Sequence, residues 1–369
     1  MNFDLALKKL AHESDFLSEP SAPSANALET PLTELSAEES PNREADGTNG
    51  LIEEILTRNL FEPVRELFSR PSKLVRASLV RAGFHMAGPI SDRRMLSAFE
   101  ESCCDRLAEV LEAIHAGSLI VDDIQDGSKE RRGSPSLHIQ YGIPVALNAG
   151  NWLYFQPFDW IKKLGLAAET ELLLYRVCHE AMLNAHLGQA IDLGTSIDKS
   201  ARESVRSVCM TSLRLKTGAL TSLALSVGAI LGGATPARLA AISDFGSSFG
   251  VALQMFDDIG NFKLPAGHPK RMEDFRLRRP TWLWAIASET GGPSEYEAFI
   301  DCVNRLPDEA PLLAWIVRHE LLESARTEAH RHLAHAEALL AQELGELSNF
   351  PLALSIVQEL SERIRKAYG

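Results

Sequence analysis

From residue 51 onward, apolar residues recur at intervals of three and four with little interruption, and that rhythm leaves few folds open. "LIEEILTRNLFEPVRELF", "MLSAFEESCCDRLAEVLEAIHAGSLIVDD" and "ETELLLYRVCHEAMLNAHLGQAIDL" each carry an apolar stripe through several helical turns. No segment alternates apolar and polar residues between hairpin turns, and no repeat of fixed period appears. Pro71, "AGP" at 87 to 89, "RRGSPS", "GGATP" and "AGHP" punctuate the pattern without a linker long enough to divide it. The spacing predicts one all-α domain over residues 51–369, a bundle with several helices long enough to be central.

The first fifty residues differ. They hold ten acids and three bases among Ser, Pro and Ala, so this acidic extension is expected to be disordered. Its start, "MNFDLALKKLAHESDFL", can form a short amphipathic helix from Phe3, Leu7 and Leu10. It lacks the apolar core and cleavage site of a signal peptide and is too acidic for a transit peptide. With a net charge of −13 the chain has no general basic surface, which argues against nucleic acid as a partner. Five cysteines (Cys103, Cys104, Cys178, Cys209 and Cys302), two of them adjacent, fit reduced thiols in a cytoplasmic protein better than a disulfide framework. The most apolar stretch, "LTSLALSVGAILGGA", is shorter than the roughly 20 residues of a membrane span, so a fully buried helix is expected there.

Chemistry enters where apolar helices end in acids. In "DDIQD", Asp122 and Asp126 lie four apart on one helix face, with Asp123 beside them. Crowded carboxylates repel, and a fold tolerates them when solvated or when a cation shares the site. "LQMFDDIGNF" repeats the arrangement with Asp257, Asp258 and Asn261, again closing an apolar run. Two such helix ends facing one another across a bundle would hold several hard divalent cations, such as Mg2+, which take oxygen ligands and bridge to phosphates.

Basic residues accompany both clusters. Lys73 and Arg76 share a helix face, Arg131 and Arg132 follow the first cluster, and Lys216 with Thr217 interrupts two apolar segments. Lys270, Arg271, Arg276, Arg278 and Arg279 follow the second cluster. In so acidic a chain, cations placed beside acids suggest phosphate binding, although surface pairing explains Arg271 and Arg276 better. His115, two turns before Asp122, reads as a satisfied core histidine. Gln189, Asp192 and Gln254 are polar groups in apolar helices that need partners. His330, His332 and His335 read as a solvated helix face rather than a metal site.

Taken in order, these segments resemble the trans-isoprenyl diphosphate synthases, the polyprenyl synthetase family. The resemblance runs from about residue 65 to the end of the chain. "PSKLVR" resembles the family's GKxxR segment, "IHAGSLIVDDIQDGSKERRG" its first Asp-rich motif with RRG, and "LQMFDDIGN" its second. "GQAIDL" and "KTGAL" lie between, and "DFRLRRPT" sits where the family has D-x4-K-x-T. "YGIPVALNAGNWLYF" makes it most similar to geranylgeranyl diphosphate synthases of eukaryotic type. The chain departs from the pattern at Pro71-Ser72 for a double Gly, at Ala77 for Pro, and at Arg279 for Lys. Asn261 replaces a last aspartate, as in the eukaryotic-type enzymes.

The resemblance implies an isoprenoid synthase bundle around a central cavity, a homodimer, and Mg2+ at three ions per active site. It implies that Asp122, Asp126 and Asp257 bind the metal, supported by Asp123 and Asp258. Arg131, Lys216, Thr217, Gln254 and Arg279 would contact an allylic diphosphate, and Lys73, Arg76, His115 and Arg132 would hold isopentenyl diphosphate. The implied reaction is a head-to-tail condensation, most simply to a C20 product, with C15 or C25 and longer as alternatives. Gly117 and Ser118, one turn below Asp122, are small and are expected to let the growing chain pass. Ile114, Leu111, Trp152, Tyr154 and Phe155 are the candidates for bulk deeper down. A class I terpene cyclase would need a Ser/Thr and a Glu that "DDIGNFKLP" lacks, and a non-catalytic regulatory subunit would be expected to have lost one cluster or the RRG.

Overall fold

The computed structural model describes residues 47–70, 75–87, 97–262, 264–265, 268, 271–344, 355, 358–359 and 362. The extension before residue 47 and Lys73 lie outside them. The described residues are helical almost throughout, as the periodicity predicts, and contacts divide the chain into two compact units of interleaved sequence.

The first unit takes residues up to 78 and 98–166. Helix α1 (Gly47–Leu56) widens into a π turn at Thr57–Phe61 and continues as α2 (Glu62–Ser69). Helix α3 (Val75–Ala87) begins in this unit, and α4 (Ala98–Asp126) is its longest element. A two-residue ribbon, β1 (Glu130–Arg131) with β2 (Ser134–Pro135), then leads into α5 (Leu137–Gln140) and α6 (Ile143–Lys162). The core joins Val64 and Leu67 of α2 to Ala113, Ala116 and Ile120 of α4 and to Ala146, Ala149 and Leu153 of α6. Small residues let α4 and α6 approach closely. A Cβ on Gly117 would stand 2.8 Å from the Gly150 carbonyl oxygen, and one on Gly150 would stand 3.3 Å from that of Gly117.

The second unit takes residues 79–97 and 167 onward. Helix α7 (Ala168–Gly194) and a 3-10 turn at Ile197–Lys199 lead to α8 (Arg202–Leu213), which runs through a π stretch at Arg214–Gly218 into α9 (Ala219–Leu231). Helix α10 (Pro236–Phe262) follows, then α11 (Glu273–Leu277), α12 (Trp282–Glu289), α13 (Pro293–Asn304), α14 (Ala310–Arg318) and α15 (Leu321–Leu344). Helix α9 packs on α7 and α10, and α10 packs on α15. Every residue from Leu223 to Ile230 is buried, as expected for the most apolar stretch. Among the described residues only α10 is long and apolar enough to cross a membrane, and half of that apolar window is buried in protein. Edge-on rings of Trp284 and Phe299, with centroids 4.9 Å apart, anchor α12 to α13. All five cysteines are free thiols, four of them buried.

Candidate active site

In the first unit, α4 ends in the first acidic cluster. Asp122 and Asp126 stay half-exposed, while Asp123 turns inward and is 3% exposed. Arg131 neutralises Asp123, its Nε donating to the two carboxylate oxygens at 2.9 and 3.1 Å. Its Nη2 also lies 3.5 Å from Asp122. The ribbon that carries Arg131 turns at Arg132 and Gly133, with φ of 55° and 77°. Positive φ at both central positions is the type I′ hairpin turn, which Gly133 adopts without strain and Arg132 does not.

Behind the ribbon, Arg76 donates from Nη1 to both oxygens of buried Glu112, at 3.1 and 3.3 Å. Burial lowers the pKa of Arg132, an effect Glu112 opposes and Arg76, Arg131 and Arg70 reinforce. His115 sits in the same field. Burial first, then the charges of Arg76, Arg132 and Arg131, hold it well below the usual histidine range, so its imidazole is neutral at pH 7. Its Nδ1 is buried without a hydrogen-bond partner among the described residues. Several guanidinium groups around one buried glutamate leave an excess of positive charge suited to an anion.

Below the first cluster, burial and then the charge of Asp122 push the Tyr154 hydroxyl up to about 12. Gly117 faces α6 at the close helix crossing, where a Cβ would stand 2.8 Å from the Gly150 carbonyl oxygen and 3.4 Å from the Tyr154 ring. Phe155 is 71% exposed and does not form the floor of the unit, while Trp152 packs edge-on to Phe61. Ser118 remains half-buried, its hydroxyl donating to the His115 carbonyl at 2.7 Å.

In the second unit, Lys216 and Thr217 lie within the π stretch, the type of irregularity that re-aims side chains at functional positions. Gly188 makes room for it, since a Cβ there would stand 2.6 Å from the Lys216 backbone nitrogen. Asp192, in the segment that needed a partner, gathers two cations. Lys216 Nζ donates to its carboxylate at 3.1 Å, and Arg279 Nη1 donates to its carbonyl at 2.7 Å.

The second acidic cluster closes α10. Asn261 donates to Asp257 at 3.3 Å, and Asp257 stays half-exposed. Asp258 is different. Its carboxylate accepts from the Trp282 backbone N–H at 2.7 Å and from Gln254 Nε2 at 2.9 Å, while Gln254 Oε1 accepts from Thr217 at 2.8 Å. Asp258 thus caps the start of α12 from within the core, and the Gln254 amide bridges Thr217 and Asp258. Burial, then Asp274, raises the Asp258 pKa well above the usual range, against the lowering effect of these hydrogen bonds. Burial, then Asp192, pushes Asp274 up to about 7.

Among the described residues no three His, Cys, Asp or Glu side chains form a ready-made metal cage. Within the first unit Asp122 and Asp126, and within the second Asp257, keep half-exposed carboxylate oxygens, the hard donor type that Mg2+ takes together with water and phosphate. Sequence reasoning missed Glu112 and Arg70, whose partners lie far along the chain.

A family model described as polyprenyl synthetase matches residues 57–318. The geranylgeranyl diphosphate synthase of Sulfolobus acidocaldarius is 29% identical over 204 residues, 54% of this chain and 57% of that protein. The short chain isoprenyl diphosphate synthase of Methanothermobacter thermautotrophicus is 34% identical over 205 residues, 53% of this chain and 61% of that one. The matched stretch therefore spans somewhat over half the length of these relatives. The geranylfarnesyl diphosphate synthase of Aeropyrum pernix is 30% identical over 285 residues, covering 74% of this chain and 88% of its own. Among solved structures, geranylgeranyl pyrophosphate synthetase from Pyrococcus horikoshii aligns with a TM-score of 0.66 at 24% identity, over 83% of this chain and 94% of that one. The Corynebacterium glutamicum geranylgeranyl pyrophosphate synthase, complexed with isoprenyl diphosphate and magnesium, aligns at 0.65 and 23% identity, over 82% and 90%. These two likenesses carry the fold.

Proposed function

We propose that this chain, which belongs to the polyprenyl synthetase family, joins isopentenyl diphosphate head-to-tail to an allylic diphosphate and releases a C20 product. The observation that carries this reading is the pairing of charges. Arg76, Arg131 and Arg132 surround neutral His115 beside Asp122 and Asp126, and Lys216 and Arg279 converge on Asp192.

Asp122, Asp126 and Asp257 would hold Mg2+, three ions per active site, whose Lewis acidity eases departure of the allylic diphosphate. The chain's own groups do the rest. Arg131, Lys216, Thr217, Gln254 and Arg279 present preorganised donors where negative charge grows on the leaving oxygens, and Gln254 also accepts from Thr217. Lys73, Arg76, His115 and Arg132 hold isopentenyl diphosphate, whose double bond attacks the allylic cation. A neutral His115 can donate one hydrogen bond without adding charge. The proton lost at the end can pass to the departing diphosphate, so none of these side chains needs to act as a general base.

Exposed Ile143, Leu147 and Phe155 on α6 and Leu183 and Leu187 on α7 support a homodimer that covers them. The five free thiols support a reducing, cytoplasmic setting. A C25 product is the second reading, favoured by the name of the Aeropyrum pernix relative.

The test incubates the protein with Mg2+, isopentenyl diphosphate and a C5, C10 or C15 primer, with chromatography of the products. A C20 product is expected from the C15 primer, a C25 end point would select the second reading, and no elongation with any primer would overturn both. Ser118→Phe should shorten the product by about one isoprene unit, roughly the 5.4 Å of a helical turn. An unchanged length would remove Ser118 from the gate.

A further inference from the structure

The Arg131–Arg132 ribbon is too short to hold itself in place. Two residues per strand fall below what an isolated hairpin needs, and Arg132 is held at positive φ. The Arg131–Asp123 ion pair is no durable anchor either, because Arg131 must turn to the diphosphate it binds.

Arg70, the residue that ends α2, is 6% exposed and reaches the backbone of both strands. Its Nη1 donates to the Arg131 carbonyl at 2.8 Å, and its Nη2 donates to the Pro135 carbonyl at 2.8 Å. The other edge of the guanidinium is gripped by Glu66, with Nε at 3.0 Å from Oε1 and Nη2 at 2.7 Å from Oε2. Glu66 neutralises this charge, so Arg70 is spent on structure and does not compete for the anion. Only a planar fork spans two carbonyls and a carboxylate together; a lysine ammonium on its single point cannot.

We propose that Arg70 is a positioning residue of the diphosphate site, a staple that fixes the ribbon by its backbone so that Arg131 and Arg132 can exchange partners without losing their place. The proposal rests on the reading of Arg131 and Arg132 as diphosphate ligands. It goes beyond that reading by naming what holds them.

The experiment compares the full chain with Arg70→Lys and Glu66→Gln by titration with inorganic pyrophosphate, by hydrogen exchange over residues 128–136, and by steady-state kinetics. Displacements of about 1 Å cost up to ~100-fold in such sites. Arg70→Lys should weaken pyrophosphate binding and raise KM for isopentenyl diphosphate by about tenfold, with kcat within about threefold. Exchange over 128–136 should accelerate while Tm holds within a few degrees. Glu66→Gln should move every reading the same way by less, and it carries the test if Arg70→Lys does not fold. Unchanged exchange, or faster exchange with unchanged pyrophosphate affinity, overturns the staple. A protein that binds pyrophosphate but elongates no primer overturns the proposed function, while binding and exchange still decide the role of Arg70.

Discussion

The two acidic clusters are nearly alike as sequence and unlike as structure. Each ends an apolar helix with two adjacent aspartates and a polar residue three beyond the second. In the first, the inward aspartate, Asp123, meets a guanidinium that can leave. In the second, the inward aspartate, Asp258, meets the backbone N–H of Trp282, which cannot leave without unmaking the start of α12. The same two letters thus serve as a movable counter-charge in one place and as a helix cap in the other. Spacing makes the outward aspartate of each pair the candidate for metal, and only the partner shows what the inward one does.

Substitutions at the outward and inward positions separate these roles most sharply. Asp122→Asn and Asp126→Asn should lower turnover by about 100-fold or more, since metal-assisted charge stabilisation is worth several kcal/mol. Neither should lower the urea midpoint, because both side chains are half-exposed. Asp258→Ala should lower stability by about 1–3 kcal/mol as well as activity, since it strands the Trp282 N–H and the Gln254 amide. Equal urea midpoints for Asp122→Asn and Asp258→Ala would break the comparison.

A second contrast lies one turn below the first cluster. Gly117→Phe should cost about 1–3 kcal/mol or prevent folding, because its Cβ alone would press on the Gly150 carbonyl. Ser118→Phe should fold with a near-normal melting temperature. Comparable melting of the two variants would show that the crossing tolerates bulk at Gly117.

The smallest effect is in pH. Asp274 is raised to about 7 in the folded state, so between about pH 4 and 7 the fold holds a proton that the unfolded chain has lost. Its contribution is complete below that window and disappears as pH rises through 7; the raised Asp258 acts with the same sign. In EDTA without substrate, Asp274→Asn should flatten the fall in stability between pH 4 and 7. A slope equal to that of the unaltered protein would remove Asp274 as its source.

The helical class, the buried stretch from Leu223 to Ile230, the reduced thiols and both acid-ended helices were legible because each is local: a period, a composition or a spacing within one element. What was not legible depends on residues far apart in sequence. Asp258 and Trp282 are separated by 24 positions, and Arg70 and Arg131 by 61. The smallness of Gly117 reads equally well as open space or as close packing, and only Gly150 across the crossing decides. The π stretch at Arg214–Gly218 left no mark in the apolar period, although it carries Lys216 and Thr217.

The most direct test of the account is a magnesium titration of elongation. Protein, isopentenyl diphosphate and a C15 allylic diphosphate are held constant while Mg2+ is raised from an EDTA-treated start, and C20 diphosphate is measured. The account predicts no product in EDTA, product rising with Mg2+, and a response nearly abolished in Asp122→Asn. Elongation at full rate in EDTA, or none at any Mg2+ concentration, would contradict it.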